Sequence, residues 1–317
     1  MSLPHAHDEA GWHRLLADDA ALGNGVDTLM QRHRLASSLP VQRYGSGSLP
    51  VYALGDAHVL KLFPPPDAEH AGVEARVLSF VDARLPVPTP QLRAHGELDG
   101  WHYLLMSRLR GHRLVDVWAQ LSAQQPRVLA AEVGEAIAAL HGLDSAPLGD
   151  LPPSWPQFIT AQRLSAVERQ RNRGLAAPWL AQIEPFLARW AAPVGNERVL
   201  LHTEVMREHL LAEPVDDGWR LSGLFDFEPA MRGEREYEFS SIGLFVACGD
   251  GGLLRRVLQA YGHADSDLTE ALQYRLMAQA LLHRYSNLRW YLQRLPLPRA
   301  TTLEELARHW WAIDGVR

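Results

Sequence analysis

The sequence predicts an α+β protein with a small β-rich N-terminal part and a larger helical C-terminal part. Short strand-type runs broken by glycine turns occupy residues 41–63 and 91–109. Beyond Gly111 the apolar residues fall at helical intervals, as with Leu129, Val133, Ile137 and Leu140. In residues 200–228 strand character returns, with charged residues gathered at the strand ends. The change of character places a boundary between residues 1–108 and 109–317.

Composition sets the outer limits. A chain of 317 residues allows one large or two small domains with a substantial core. Hydrophobic content of 47% and charged content of 21% are ordinary for a globular protein. The net charge of −6 argues against a non-specific nucleic-acid binder. The single cysteine, Cys248, excludes an internal disulfide framework and a Cys-rich zinc site. The first residues lack the basic and apolar regions of a secretory leader, and no apolar run is long enough to span a bilayer. The expectation is a cytoplasmic protein with neither nucleic-acid nor membrane partners, monomeric or weakly dimeric.

Residues 8–36 read as one or two helices covering the β-rich part, broken at Gly23-Asn24-Gly25. Three strands follow: Val41–Tyr44, Leu49–Leu54 and Ala57–Phe63. The turn Gly45-Ser46-Gly47 is either a plain hairpin turn or a loop whose backbone N–H groups approach phosphate. Lys61 is a lone cation inside an apolar strand, so it either points to the surface or serves an anion. Asp67 or Asp82 brackets a helix with Val73, Val77, Leu78 and Val81 as its buried stripe. Pro86, Pro88 and Pro90 make an extended connector, and a hairpin turns at Asp99-Gly100.

The helical part opens with a short helix over Val115–Leu121 and a longer one over Pro126–Leu143, where His141 reads as structural. Phe158–Asn172 and Trp179–Trp190 are the next two helices, and Arg163, Arg169, Arg171 and Arg173 read as a solvated face. Ser240–Ala247, Leu253–Tyr261, Leu268–Leu295 and Leu303–Ile313 are expected to complete the fold as helices. Most of Trp290, Tyr291, Trp310 and Trp311 are expected to pack the core.

The stretch 200–228 organises the chain. An apolar run stops at His202, a polar loop carries Glu204 and His209, and a hairpin turning at Asp216-Asp217-Gly218 delivers Asp226 at the end of its far strand. Two carboxylates and an imidazole at strand ends suit phosphoryl transfer, where one carboxylate orients a hydroxyl and others hold a metal.

From about Val41 to Phe245 the chain resembles the aminoglycoside phosphotransferase superfamily, small-molecule kinases with a bilobal, protein-kinase-like fold. The resemblance rests on His202-Thr203-Glu204, His209 and Asp226-Phe227-Glu228, and its loop is most similar to macrolide and aminoglycoside kinases with His at the second metal position. It implies ATP or GTP as phosphoryl donor, Mg²⁺ or Mn²⁺ as the cation, and a hydroxylated small molecule as acceptor, either an antibiotic or a metabolite. Glu204 would be the catalytic carboxylate, with His209 and Asp226 as metal ligands and Glu228 toward the substrate. Lys61, partnered by Glu74, would hold the phosphates together with Gly45, Ser46 and Gly47, while Met106, Ser107 and Leu109 would lie by the base. His202 would brace the loop. Two departures stand out: Glu204 and Glu238 occupy positions where the superfamily has Asp. The first leaves open a nucleotide binder that transfers nothing.

Overall fold

The computed structural model describes residues 2–191, 197–296 and 299–315. The chain divides into two compact units: residues 1–83 with 88–110, and residues 84–87 with 111–317.

The first unit opens with helices α1 (Glu9–Leu16) and α2 (Asp19–Arg32), each started by an aspartate side chain that accepts a backbone N–H. An antiparallel sheet follows: β1 (Val41–Arg43), β2 (Val51–Leu54), β3 (His58–Phe63), helix α3 (Ala68–Val81), β4 (Leu92–Leu98) and β5 (Trp101–Ser107). The strand order is β1-β2-β3-β5-β4. Side chains alternate between the two faces. One face presents Tyr52, Leu54, Leu60, Leu62, Tyr103 and Leu105 to a core with Leu22, Val26, Leu29 and Met30 of α2. The other carries Lys61 opposite Leu104, with Val59 opposite Met106, and faces α3.

The second unit comprises β6 (His112–Arg113), α4 (Leu114–Val117), α5 (Gln125–His141), α6 (Trp155–Asn172), α7 (Ala177–Trp190), β7 (Val199–Leu201), β8 (Leu210–Val215), β9 (Gly218–Leu224), β10 (Met231–Gly233), α8 (Arg235–Ser241), α9 (Gly251–Tyr261), α10 (Glu270–Leu282), α11 (Leu288–Arg294) and α12 (Leu303–Trp310). Helix α5 packs on α9 at Gly134, where a Cβ would stand 2.3 Å from the Val257 carbonyl oxygen; only glycine allows that approach. Trp155, Phe158, Val199, Leu201, Met231 and Tyr237 form a core against the paired strands β7 and β10. Tyr291, Trp310 and Trp311 are buried, whereas Trp290 lies on the surface. Among the described residues, no helix is long and apolar enough to cross a membrane.

Two expected helices are interrupted. The run expected over Leu268–Leu295 breaks between α10 and α11, where Asn287 caps the second helix by accepting the Trp290 N–H at 3.1 Å. Helix α8 ends at Ser241, and Ile242–Val246 widens into a π-helical turn. The short helix expected over Val115–Leu121 is α4 followed by a 3₁₀ turn at Trp118–Gln120.

Candidate active site

Strand β7 ends at Leu201, opposite Met231 where its antiparallel partner β10 begins, and the chain then enters a loop, residues 202–209, held from several sides. Glu238, fully buried near the start of α8, accepts the N–H of His202 at 2.6 Å and of Thr203 at 2.8 Å. Thr203 has φ +72°, a left-handed conformation strained for a β-branched residue. Its surroundings compel it: the N–H is bound by Glu238, the hydroxyl donates to Pro229 O at 3.1 Å, and the carbonyl accepts from His283 Nε2 at 2.9 Å.

His202 braces the loop from inside. Its Nε2 donates to Phe225 O at 2.9 Å, and its Nδ1 accepts the Glu204 N–H at 3.3 Å. Both nitrogens are used by the neutral ring, and burial lowers its pKa. The imidazole also lies 4.6 Å, centre to centre, from the buried Phe227 ring.

The strained backbone of Thr203 sets Glu204 at the loop's turn. Its carboxyl pKa is raised to about 7, chiefly by burial; His209 opposes the rise, while Asp226 and Glu228 add to it as like charges. Asp226 also sits at positive φ, +73°, just past β9. Ligand atoms of Glu204, His209 and Asp226 lie within 4.8 Å of one another. His209 Nδ1 donates to the Glu204 carbonyl at 3.0 Å, so Nε2 is the atom that faces Asp226 Oδ2, at 3.2 Å. A hydrogen bond on the far nitrogen commonly fixes a metal-binding histidine in this way. Two facing acceptors that need a proton or a cation between them fit a divalent ion.

In the first unit, Lys61 Nζ donates to Glu74 Oε2 at 2.8 Å, and both residues are buried. The lone cation of the apolar strand thus points inward. Met106 is buried and shares the sheet face of Lys61.

A sequence model of the phosphotransferase enzyme family matches residues 40–275. The chain belongs to that family. It is a small-molecule phosphotransferase, and its fold is the kinase-like one. The GDP and kanamycin complex of APH(2″)-IIIa is similar at 18% identity and TM-score 0.70, over 86% of this chain and 94% of that one. The apoenzyme of macrolide 2′-phosphotransferase MphH from Brachybacterium faecium is 19% identical with TM-score 0.60, over 87% and 99%. The streptomycin–ATP ternary complex of APH(2″)-IIa is 14% identical with TM-score 0.58, over 80% and 88%. No curated protein sequence matches the chain.

The structure of this phosphotransferase narrows the nucleotide-side expectations. The Ser107 N–H donates to Gln91 O and its hydroxyl accepts the Gln91 N–H, while the Arg108 N–H donates to Ala57 O. The Ser107 N–H and hydroxyl are therefore taken up within its own sheet. Gly45, Ser46 and Gly47 form an exposed turn between β1 and β2, with Gly47 at φ +108°.

Sequence reading missed the support beneath the loop. Arg169 donates to the carbonyls of His283 and Arg284 at 3.0 and 3.1 Å, and Arg173 donates to those of Tyr285 and Ser286. Buried Gln170 donates to the Ser286 hydroxyl at 2.9 Å and accepts the Leu288 N–H at 2.9 Å. Of the arginines read as a solvated face, only Arg163 and Arg171 are exposed. Tyr285 and Arg284 stand near enough to Glu204 for their charges to be coupled.

Proposed function

We propose that this enzyme transfers the γ-phosphate of ATP or GTP to a hydroxyl of a small molecule. The observation that carries the reading is the cluster of Glu204 and His209, on a loop held from several sides, with Asp226 just past β9. In the proposed reaction the acceptor oxygen forms a bond to the γ-phosphorus, the bond from that phosphorus to the β,γ-bridging oxygen breaks, and the nucleoside diphosphate leaves. Glu204 orients the hydroxyl and accepts its proton. A pKa of about 7 suits that role, because such a carboxylate is largely ionised at slightly alkaline pH and basic enough to take a proton late.

Asp226 and His209 would hold Mg²⁺, with Mn²⁺ a good substitute because an imidazole nitrogen suits it better. A divalent cation there would offset charge on the phosphates. Lys61, fixed by Glu74, would bind the α- and β-phosphates. Gly45, Ser46 and Gly47 would cover the phosphates, with Met106, Ser107 and Leu109 by the base. Glu228 would meet the acceptor. The solved structures bearing GDP or ATP support a nucleotide donor, and those bearing kanamycin or streptomycin support a polyhydroxylated acceptor. A metabolic acceptor such as a sugar or amino alcohol fits the same chemistry. The second reading, a nucleotide binder without turnover, draws on Glu204 standing in place of aspartate.

The deciding experiment measures labelled γ-phosphate transfer from ATP and GTP to pooled aminoglycosides, macrolides and metabolites, with Mg²⁺ or Mn²⁺. Product that disappears in Glu204→Gln and in Asp226→Asn is expected. Product surviving Glu204→Gln removes Glu204 from the base role. Metal-dependent nucleotide binding with no product supports the silent reading, and absence of nucleotide binding overturns both.

A further inference from the structure

The segment between α10 and α11, residues 283–287, carries an excess of positive charge. Arg169 and Arg173 reach it from α6, Arg284 belongs to it, and Arg289 donates to the Arg173 carbonyl. Among the described residues, Arg169, Arg173 and Arg284 form no ion pair with a carboxylate, although the chain is acidic overall. The guanidinium groups of Arg169 and Arg173 are turned to backbone carbonyls, which neutralise nothing. Arg284 is held by neutral partners: one Nη donates weakly to Met231 Sδ at 3.8 Å, the hydroxyls of Tyr237 and Tyr285 lie within its reach, the group lies 5.4 Å from the Phe158 ring centre, and its buried Nε has no partner. Arg169 Nε is likewise buried without a partner.

Three half-buried guanidinium groups around one loop, none held in an ion pair, make a place where an anion is attracted. The loop's position says where that anion would come from. His283 is bonded to the carbonyl of Thr203, the residue before Glu204. Arg284 therefore stands beside the carboxylate assigned to the acceptor hydroxyl. Tyr285, half exposed, adds a hydroxyl at the same place. Glu204 and Glu228 are the opposing charges; in the proposed reaction they address the reacting hydroxyl.

We infer that the acceptor is a hydroxylated molecule bearing an oxyanion, a carboxylate or a phosphate, which seats against Arg284 through paired N–H donors. The planar fork of arginine suits either group. This inference rests on the phosphotransferase reading above and selects among its acceptors: it favours hydroxy acids or sugar phosphates over polycationic aminoglycosides.

The test is a transfer assay on hydroxy acids and sugar phosphates, each beside its neutral analogue, with ethanolamine and kanamycin as cationic members. At least one anionic acceptor is expected to exceed its neutral analogue in kcat/KM by about tenfold or more. Arg284→Gln should lower that ratio by about tenfold, with Arg284→Lys retaining part of it, since a lysine keeps the charge and loses the fork. Hydroxy acid and sugar phosphate arms separate the two anions. If Arg284→Gln fails to fold, inhibition of the parent enzyme by sulfate is read instead, expected to be competitive with the acceptor alone. No transfer to any anionic member, a preference for ethanolamine or kanamycin, an unchanged ratio in Arg284→Gln, or sulfate that does not compete overturns the inference. Asp226-dependent nucleotide hydrolysis reports separately on the phosphotransferase reading, so the two can fail independently.

Discussion

The Glu238 carboxylate accepts the Thr203 backbone N–H at 2.8 Å, holding a β-branched residue at φ +72°. The same carboxylate takes the His202 N–H, and His141 Nε2 lies 3.6 Å from it. One buried side chain thus fixes the backbone on which Glu204 is mounted. Glu238→Gln should leave one of the two N–H groups facing an amide N–H, at a cost of roughly 1–3 kcal/mol. Activity should fall further than stability does, because the loop relaxes from its strained form. Urea unfolding and kcat on the same preparation check this; a variant of unchanged activity would mean that Glu238 is not the brace.

His283 links stability to pH. Its Nε2 donates to Thr203 O and its Nδ1 accepts the Tyr285 N–H, so a second ring proton would face a donor. Burial lowers its pKa from 6.5 to about 4. Because the folded value lies below the unfolded one, its stabilisation is full above pH 6.5 and is lost as pH falls toward 4. The loss from this group approaches roughly 3 kcal/mol. Unfolding free energy measured between pH 7.5 and pH 4.5 should fall less steeply in His283→Gln, which starts from a lower value. Parallel curves would exclude His283 as the source.

The residues of the candidate site could be picked out in the sequence because their signals are local. Lys61 is conspicuous within Val-Leu-Lys-Leu-Phe, and His209 and Asp226 sit where apolar strands begin and end. The strands of both hairpins alternate or run apolar between turn residues, and the sheet follows them. What escaped depends on distant partners. His283 meets Thr203 across 80 positions, and Gln170 meets Ser286 across 116. Neither residue differs locally from a polar helix residue. The break at Ser286-Asn287 was legible in principle, since Asn287 precedes a new apolar run as an N-cap does. The commitment of Ser107 to Gln91 was not, because it depends on strand register.

Lys61 and Glu74 form a buried pair, and removing either takes from the other the buried opposite charge it is bonded to. Lys61→Met and Glu74→Gln should each destabilise by about 3 kcal/mol or more, and the double variant by less than the sum. A double-mutant cycle on unfolding free energy measures the coupling. Additive losses would show that the two residues act separately.

His209 presents Nε2 toward Asp226 because its Nδ1 is bound to the Glu204 carbonyl. His209→Gln places an amide near the same point and substitutes oxygen for nitrogen as the ligand atom. Since Mg²⁺ prefers oxygen more strictly than Mn²⁺ does, the Mn²⁺-to-Mg²⁺ activity ratio should fall. Parallel metal titrations of parent and variant read this directly; an unchanged ratio would place His209 outside the coordination sphere.

Glu204 on the loop and Glu238 on α8, which holds that loop, are each one methylene longer than the aspartate of the superfamily pattern. The brace from Glu238 and the turn that carries Glu204 are connected through Thr203, so their geometries have to agree. Glu204→Asp should therefore not restore a better enzyme. It withdraws the carboxylate by one methylene from a position the loop has been shaped to, and a misplacement of about 1 Å costs on the order of 10²-fold in rate. Glu204→Asp combined with Glu238→Asp should recover part of the loss, because both side chains then shorten together. Single-turnover rates for the three variants against the parent distinguish the cases. A Glu204→Asp enzyme as fast as the parent would show that the loop tolerates either length and that the two substitutions are unrelated.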